Sequence, residues 1–183
     1  SKIANSLEQL IEKSDLVLEA AEGKIVEHII KKSIYYKTDV VVLSIGGLIA
    51  KRKLLKDIES SCINVYLPSG AIAGIDGIVA ASFSGIKRCM LTTSKPPQGL
   101  AVSSISNHKK ISKTKKTILF QGSVSQAYKL FPKNINVAAT LLFASKFSGI
   151  KVVIQVDPKI KTNTHQINLE SKEVKLNILV ENT

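Results

Sequence analysis

The sequence is poor in aromatic residues and has no tryptophan. Aromatic side chains make up 5% of its 183 residues, whereas hydrophobic residues as a whole make up 44%. A core of this composition must be aliphatic, which is typical of α/β domains, because their buried parallel strands are rich in Val, Ile and Leu. No apolar run reaches the roughly 18–20 residues that span a bilayer. These features favour a soluble, cytoplasmic protein with no membrane partner.

Cysteine is also scarce, and the sequence shows no metal or nucleophile motif. Cys62 and Cys89 are too few for a disulfide framework and are predicted to be reduced thiols. The histidines, cysteines and acidic residues never fall at the spacing of metal ligands, so no metal site is predicted. A G-x-S-x-G nucleophile motif is absent as well.

A third absence concerns the glycine fingerprint of dinucleotide-binding domains. No G-x-G-x-x-G occurs in the sequence, although residues 1–68 alternate apolar strands with helices over short links, the pattern of parallel βαβ units. In a Rossmann fold the fingerprint lies in the first turn of the first half. Residues 1–68 are therefore predicted to be the second half of a Rossmann-like nucleotide-binding domain, whose first half this sequence does not contain. A smaller, complete α/β fold is the alternative.

The elements of this first part follow from apolar spacing. A short helix is predicted after a capping box of Ser6 and Gln9, in which Gln9 reaches back to the N-cap. Further helices are predicted at 23–36 and 48–60, and buried strands at 15–21, 39–44 and 63–67.

A glycine-rich stretch, Leu67–Gly77, joins the two parts of the chain. It follows the strand at 63–67 and leads into the helix predicted around Ile78–Ala81. Glycine lets a backbone approach a ligand closely, and a helix start offers free N–H groups. A tight turn with close helix packing explains the glycines equally well.

Residues 69–183 are predicted to form an α+β domain. The overall prediction is thus an α/β protein, with a partial Rossmann-like parallel sheet domain (1–68) followed by an α+β catalytic and dimerisation domain (69–183). Ser94–Gly99 is predicted as a rigid loop, because its two prolines remove backbone donors. The remaining elements are strands at 87–93, 117–120, 152–156, 165–169 and 174–180, and helices at 122–130 and 137–147.

The net charge of +12 raises nucleic acid as a partner. The densest basic run, His108–Lys116, has five lysines but no arginine or aromatic residue. Nucleic-acid sites generally carry arginine forks or stacking rings, so the run favours a solvated loop. A non-catalytic, basic nucleic-acid-binding or interaction module is retained as the alternative function.

Among single residues, His165 is the strongest candidate for chemistry. In a strand it shares a face with Ile167 and Leu169, so it points toward the apolar side. It is either a core histidine or an acid–base group. Asn163 precedes it and could orient a carboxylate. Asn136 fits a helix N-cap or a ligand for a ring amide, and Lys95 could pair with an anion.

Eight segments, in order, resemble the L-aspartate dehydrogenase family over essentially the whole chain. They are LVLEAA, VVLSIGGL, YLPSGAIAGIDGI, LTTSKPPQGL, FQGS, KLFPKNINVAAT, VDP and TNTHQI. A different amino-acid dehydrogenase or reductase with the same layout is a further reading.

The resemblance implies oxidation of L-aspartate to iminoaspartate with NAD or NADP, a role in NAD biosynthesis, and a homodimer. It implies that His165 is the active-site histidine. Ala71 and Asn136 would contact the cofactor near its nicotinamide. Ser69, Gly70 and Asn163 would bind the substrate, and a helix start at Ser69 and Gly70 would supply backbone N–H groups for a carboxylate. Because the fingerprint is missing, this chain is expected to bind NAD weakly or not at all.

Overall fold

The computed structural model describes residues 3–99, 111–132 and 135–182. The chain divides into two compact units, the first ending at Gly70 and the second beginning at Ala71. Within the described residues, no helix is long and apolar enough to cross a membrane.

The first unit is built on a parallel sheet, as the alternation of strands and helices predicts. Its described strands are β1 (Leu16–Glu19), β2 (Asp39–Val42) and β3 (Val65–Tyr66), in the spatial order β1-β2-β3 with both pairings parallel. The helices are α1 (Leu7–Glu12), α2 (Gly23–Tyr36) and α3 (Arg52–Glu59). The strands are shorter than predicted, above all β3.

Helix α2 shows why this sequence folds locally as it does. Its apolar residues recur at helical spacing, and Val26, Ile29 and Ile30 are buried. The helix ends at Lys37, whose left-handed φ of 58° closes the last turn.

The prediction of a helix at 48–60 is wrong for the first turn. A 3-10 helix at Ile45–Leu48 precedes α3, which begins only at Arg52. The 3-10 helix lies against the start of α2, where a Cβ on Gly47 would be 2.9 Å from the Cα of Gly23. Only a glycine permits this close approach.

The predicted cap at Ser6 is confirmed in part. The Ser6 hydroxyl accepts from the Gln9 amide at 3.1 Å, but the Gln9 side chain accepts from the Asn5 N–H rather than from that of Ser6. A complete capping box occurs instead at Ser123 and Gln126.

The second unit contains a mixed sheet with the order β5-β6-β4-β7-β8 in the described part of the chain. Strands β4 and β6 are parallel, and the other neighbours are antiparallel. The described part of this unit also contains helices α4, α5 and α6 and a 3-10 helix at Pro97–Gly99. The bounds are α4 (Ile75–Phe83), β4 (Ile86–Lys95), β5 (Thr117–Ser123), α5 (Val124–Leu130), α6 (Asn136–Ser145), β6 (Lys151–Val156), β7 (Thr164–Ser171) and β8 (Lys175–Glu181). A parallel sheet followed by this α+β unit confirms the predicted fold class.

The two faces of the sheet differ in burial. The register of β4, β7 and β8 aligns Leu91, Ile167 and Ile178 on one side, which we call the inner face. Helix α4 packs on this face, because a Cβ on Gly74 would lie 2.6 Å from the Ile178 Cδ1 atom. The opposite side, the outer face, carries Met90 and Leu179, which are 36% and 63% exposed.

Two predicted boundaries in the second unit are wrong. Ser94 and Lys95 belong to β4 and pair with Gln155 and Val156 of β6, so the loop begins only at Pro96. The two prolines end the strand, but the residues before them keep their backbone donors. Helix α5 begins at Val124 instead of Gly122, which lies in β5.

Candidate active site

His165 lies on the inner face of the sheet, near the beginning of β7. Its alternation with Ile167 and Leu169 is confirmed: all three residues are buried, whereas Gln166 between them is exposed. The residue is 7% exposed. In the ladder it pairs with Thr93 of β4 on one side and with Val180 of β8 on the other.

The imidazole is held by a side chain that the sequence did not single out. The Oγ1 atom of Thr93 lies 3.0 Å from Nδ1 of His165, and both residues are buried. A hydrogen bond at Nδ1 holds the orientation of the ring, and the threonine hydroxyl can serve either tautomer because it both donates and accepts. The bond leaves Nε2 as the ring nitrogen that can exchange a proton with a substrate or a water molecule.

The surroundings of His165 favour its neutral form. Burial lowers the pKa of His165 below its ordinary value of 6.5, and the positive charge of Lys95 lowers it further. A neutral imidazole at pH 7 can accept a proton, which is the first requirement for a general base.

Several other polar groups lie at the end of β4 and β6. Ser94, on the outer face, is buried, and its hydroxyl accepts from Gln155 Nε2 at 2.9 Å. Asp157, also buried, follows β6 directly and forms an ion pair with Lys116 at 3.1 Å. The carboxyl end of parallel strands is where ligand sites gather in open α/β sheets. The sequence did not indicate these groups, because the two prolines predicted a loop at Ser94 and Lys95.

The basic run is described only from Ile111 onward; residues 108–110 lie outside the described part of the chain. Lys116, its last residue, has the structural partner Asp157. The Asp157 carboxylate also accepts from the Lys159 amide at 3.0 Å, and this bond, followed by the Lys116 interaction, lowers the pKa of Asp157.

The glycine stretch differs from its prediction in one important respect. Helix α4 begins at Ile75 with Gly74 as its N-cap, so Ser69 and Gly70 do not form a helix start. They are exposed residues at the end of the first unit, and Gly70 has a φ of 62° in a turn. The expectation that a helix N-terminus at these two residues binds a carboxylate is therefore wrong.

The beginning of α4, by contrast, lies on the face that carries His165. Gly74 is placed over Ile178 of β8, which pairs with Ile167, two residues along β7 from His165. Ala71, exposed at the start of the second unit, is three residues before Gly74. The structure thus brings this end of the glycine stretch to the inner face.

Asn136 is not a helix N-cap, contrary to one of its two predicted roles. Ile135 occupies the N-cap position, and Asn136 is the first helical residue of α6. Its backbone carbonyl accepts from the Thr140 hydroxyl at 3.0 Å, which fixes the main chain, and the residue is exposed. A side-chain amide offers both a donor and an acceptor.

Asn163 lies immediately before β7 and two residues before His165. It is exposed, and its backbone carbonyl accepts from the Asn182 N–H at 3.0 Å, which extends the β7–β8 ladder. Residues two apart in an extended chain point to the same side.

In the described residues, no group of three or more His, Cys, Asp or Glu side chains is arranged to hold a metal.

Comparisons with known proteins agree with this architecture. The family model described as "Aspartate dehydrogenase, C-terminal" matches residues 76–183. L-aspartate dehydrogenase of Methanosarcina barkeri is 38% identical over 190 residues, covering 100% of this chain and 70% of that protein. The enzyme of Methanocaldococcus jannaschii is 39% identical over 188 residues, with 100% and 70% covered.

A solved structure gives the same result. The crystal structure of aspartate dehydrogenase from Thermotoga maritima superposes with a TM-score of 0.80 at 28% identity, covering 93% of this chain and 70% of that one. A dehydrogenase structure from Clostridium difficile, at 11% identity and a TM-score of 0.52, shares the fold alone. The family model, the curated relatives and this structural match identify the chain as a member of the L-aspartate dehydrogenase family.

Proposed function

We propose that the protein oxidises L-aspartate to iminoaspartate with NAD or NADP as the hydride acceptor. Water then converts iminoaspartate to oxaloacetate and ammonia. The observation that carries this proposal is the buried His165, held at Nδ1 by Thr93 and kept neutral by its surroundings. Oxidation of the substrate amine releases a proton, and addition of water to the imine releases another. Both steps need a proton acceptor in a fixed place.

A nicotinamide held at its carboxamide end by Asn136 and Ala71 would supply the hydride acceptor for Cα of the substrate. The protein itself supplies the binding, the positioning and the proton transfer. Asn136 and Ala71 hold the carboxamide end of the cofactor. His165 takes the proton from the attacking water through Nε2 while Nδ1 stays bound to Thr93. Holding the reacting groups in one geometry supplies much of the acceleration.

Substrate binding is assigned to Asn163, Ser69 and Gly70. The Asn163 amide, two residues before His165, donates to a carboxylate oxygen of aspartate. Ser69 and Gly70 are assigned on the family resemblance alone. Iminoaspartate made in this way feeds NAD biosynthesis.

The decisive experiment measures NAD(P)H absorbance with L-aspartate on the full-length protein, and with oxaloacetate plus ammonia in reverse. The change His165→Ala is expected to lower kcat by about 10²–10⁴-fold, the usual share of a general acid–base group. His28→Ala is the matched control, because His28 lies on α2 of the first unit, partly exposed beside Glu8. Loss of turnover in both variants, or in neither, would overturn the assignment of His165.

The proposal includes a homodimer formed through the outer face of the sheet. Ile118, Met90 and Leu179 lie on this face and are 47%, 36% and 63% exposed. A face of this kind is typical of a protein–protein contact. Leu179→Glu is expected to convert a dimer to a monomer in light scattering coupled to size-exclusion chromatography. A wild-type protein that is monomeric would contradict this part of the proposal.

A further inference from the structure

Lys95 is the last residue of β4, and its place in the ladder puts it beside the His165 site. It pairs with Val156, as Thr93 pairs with Ile154 and His165. Since alternate residues of a strand share a face, Lys95 and Thr93 both project from the inner face. Pro96 and Pro97 follow at once, so the strand cannot continue and the lysine stays at its end.

Lys95 and His165 also interact electrostatically. Its charge lowers the pKa of His165, and burial lowers the pKa of Lys95 itself. The lysine is half-buried, between water and the sheet. A cation partly removed from water beside a neutral imidazole creates a positive potential at the place where the reaction occurs.

Asp157, the acidic residue next to this pair of strands, already has other partners. Asp157 follows Val156, and its backbone N–H donates to the Lys95 carbonyl at 3.0 Å. Its carboxylate, however, binds Lys116 at 3.1 Å and the Lys159 amide at 3.0 Å. Asp157 therefore fixes the main chain at Lys95, while its own negative charge is balanced by Lys116.

The substrate of the proposed function needs a cation in this place. L-aspartate carries two carboxylates, and the helix start that the sequence suggested for binding one of them is absent at Ser69 and Gly70, because α4 begins at Ile75. Asn163 offers only a neutral amide. A charge-assisted hydrogen bond to a carboxylate is about twice as strong as a neutral one.

We propose that Lys95 binds a carboxylate of the substrate beside His165 and thereby selects a dicarboxylate amino acid. The inference rests on the proposed function and adds to it the residue that recognises the charge of the substrate. Lys95 is a binding residue and takes no part in proton transfer, so its removal weakens binding more than it slows the chemical step.

Replacing Lys95 by an uncharged residue distinguishes the effect of its charge from the effect of its packing. Lys95→Met keeps the apolar stem and removes the charge, and Lys95→Arg keeps the charge. Lys172→Met is the control, because Lys172 is an exposed lysine directly after β7, at the opposite end of that strand from His165. We expect Lys95→Met to raise KM for L-aspartate about 10–100-fold with a smaller change in kcat, and Lys95→Arg to recover part of the loss. Lys172→Met should leave both constants unchanged.

A direct binding measurement distinguishes failure of this inference from failure of the proposed function. Calorimetric titration with succinate, a four-carbon dicarboxylate, should give a Kd raised by the same factor in Lys95→Met. If the unaltered protein oxidises aspartate but Lys95→Met changes neither KM nor succinate binding, the role of Lys95 is refuted and the proposed function stands. If the unaltered protein does not oxidise aspartate, the proposed function fails. Equal succinate affinity in the two proteins, or none in either, then refutes the role of Lys95 as well.

Discussion

The Thr93 hydroxyl lies 3.0 Å from Nδ1 of His165, across the ladder between β4 and β7. Both residues are buried, so water does not compete readily for either partner. The bond therefore sets the ring orientation of His165, the one histidine that faces the inner side of the sheet among the described residues of the second unit. Thr93 is a positioning residue in this arrangement.

Replacing Thr93 by Val tests that role. The change keeps the branched shape of the side chain but removes the hydroxyl, so His165 loses the partner of Nδ1. We expect kcat with L-aspartate to fall about tenfold, which corresponds to roughly 1.4 kcal/mol, the scale of one hydrogen bond. The KM value should change less, since Thr93 does not contact the substrate.

Two further variants distinguish positioning from general damage. Thr93→Ser retains a hydroxyl and should restore most of the activity. Thr92→Val removes the neighbouring hydroxyl, which belongs to the outer face because Thr92 pairs with Gln166, and should leave kcat unchanged. Equal losses in Thr92→Val and Thr93→Val would show that the effect is structural.

The pH dependence of activity should reflect the lowered pKa of His165. Burial and the Lys95 charge both lower this pKa from 6.5, so the imidazole stays neutral below that pH. We expect the acid limb of kcat/KM to lie below pH 6.5. In Lys95→Met the limb should move upward, but only in part, because burial, the larger cause, remains. An acid limb above pH 6.5 in the unaltered protein would contradict the assignment.

The same pKa shift affects stability. His165 takes up a proton more readily in the unfolded chain than in the folded chain. The free energy of unfolding therefore falls as the pH drops from 6.5 to the pKa of His165 in the folded chain. Above pH 6.5 it does not depend on this group. Urea unfolding measured across this range should show that slope, and His165→Ala should lack this part of it.

The inward direction of His165 was predictable from sequence, whereas its partner was not. Alternation of polar and apolar residues along β7 is a local signal, and it placed His165, Ile167 and Leu169 on one face. The hydrogen bond to Thr93 joins residues 72 positions apart, and it depends on the register between two strands. One sequence contains no direct signal for such a register, because it is set by the packing of the whole sheet.

Other differences have equally local causes. Two prolines after Lys95 suggested a loop from Ser94 onward, although a proline restricts only its own donor and the conformation of the residue before it. The three glycines before Ile78 suggested that a helix begins at Ser69 and Gly70. Gly74 instead has a left-handed φ of 73°, and the helix begins only at Ile75. Such backbone angles depend on contacts like that between Gly74 and Ile178.

The first unit offers a stability test at Glu19, the last residue of β1. Its carboxylate is 2% exposed and accepts from the backbone N–H groups of Ala21 and Ser44, both at 2.8 Å. One side chain thus joins the ends of β1 and β2. Glu19→Ala leaves two backbone donors without this partner in a buried place and opens a cavity. We expect the free energy of unfolding to fall by about 2–4 kcal/mol.

The measurement is urea unfolding followed by circular dichroism, with Glu59→Ala as the control, since Glu59 is exposed at the end of α3. The control should change stability by less than about 0.5 kcal/mol. The stability of Glu19→Gln should lie between those of Glu19→Ala and the control. An amide keeps one acceptor oxygen and can satisfy one of the two donors. If Glu19→Ala unfolds at the same urea concentration as the control, the carboxylate does not hold the two strand ends together.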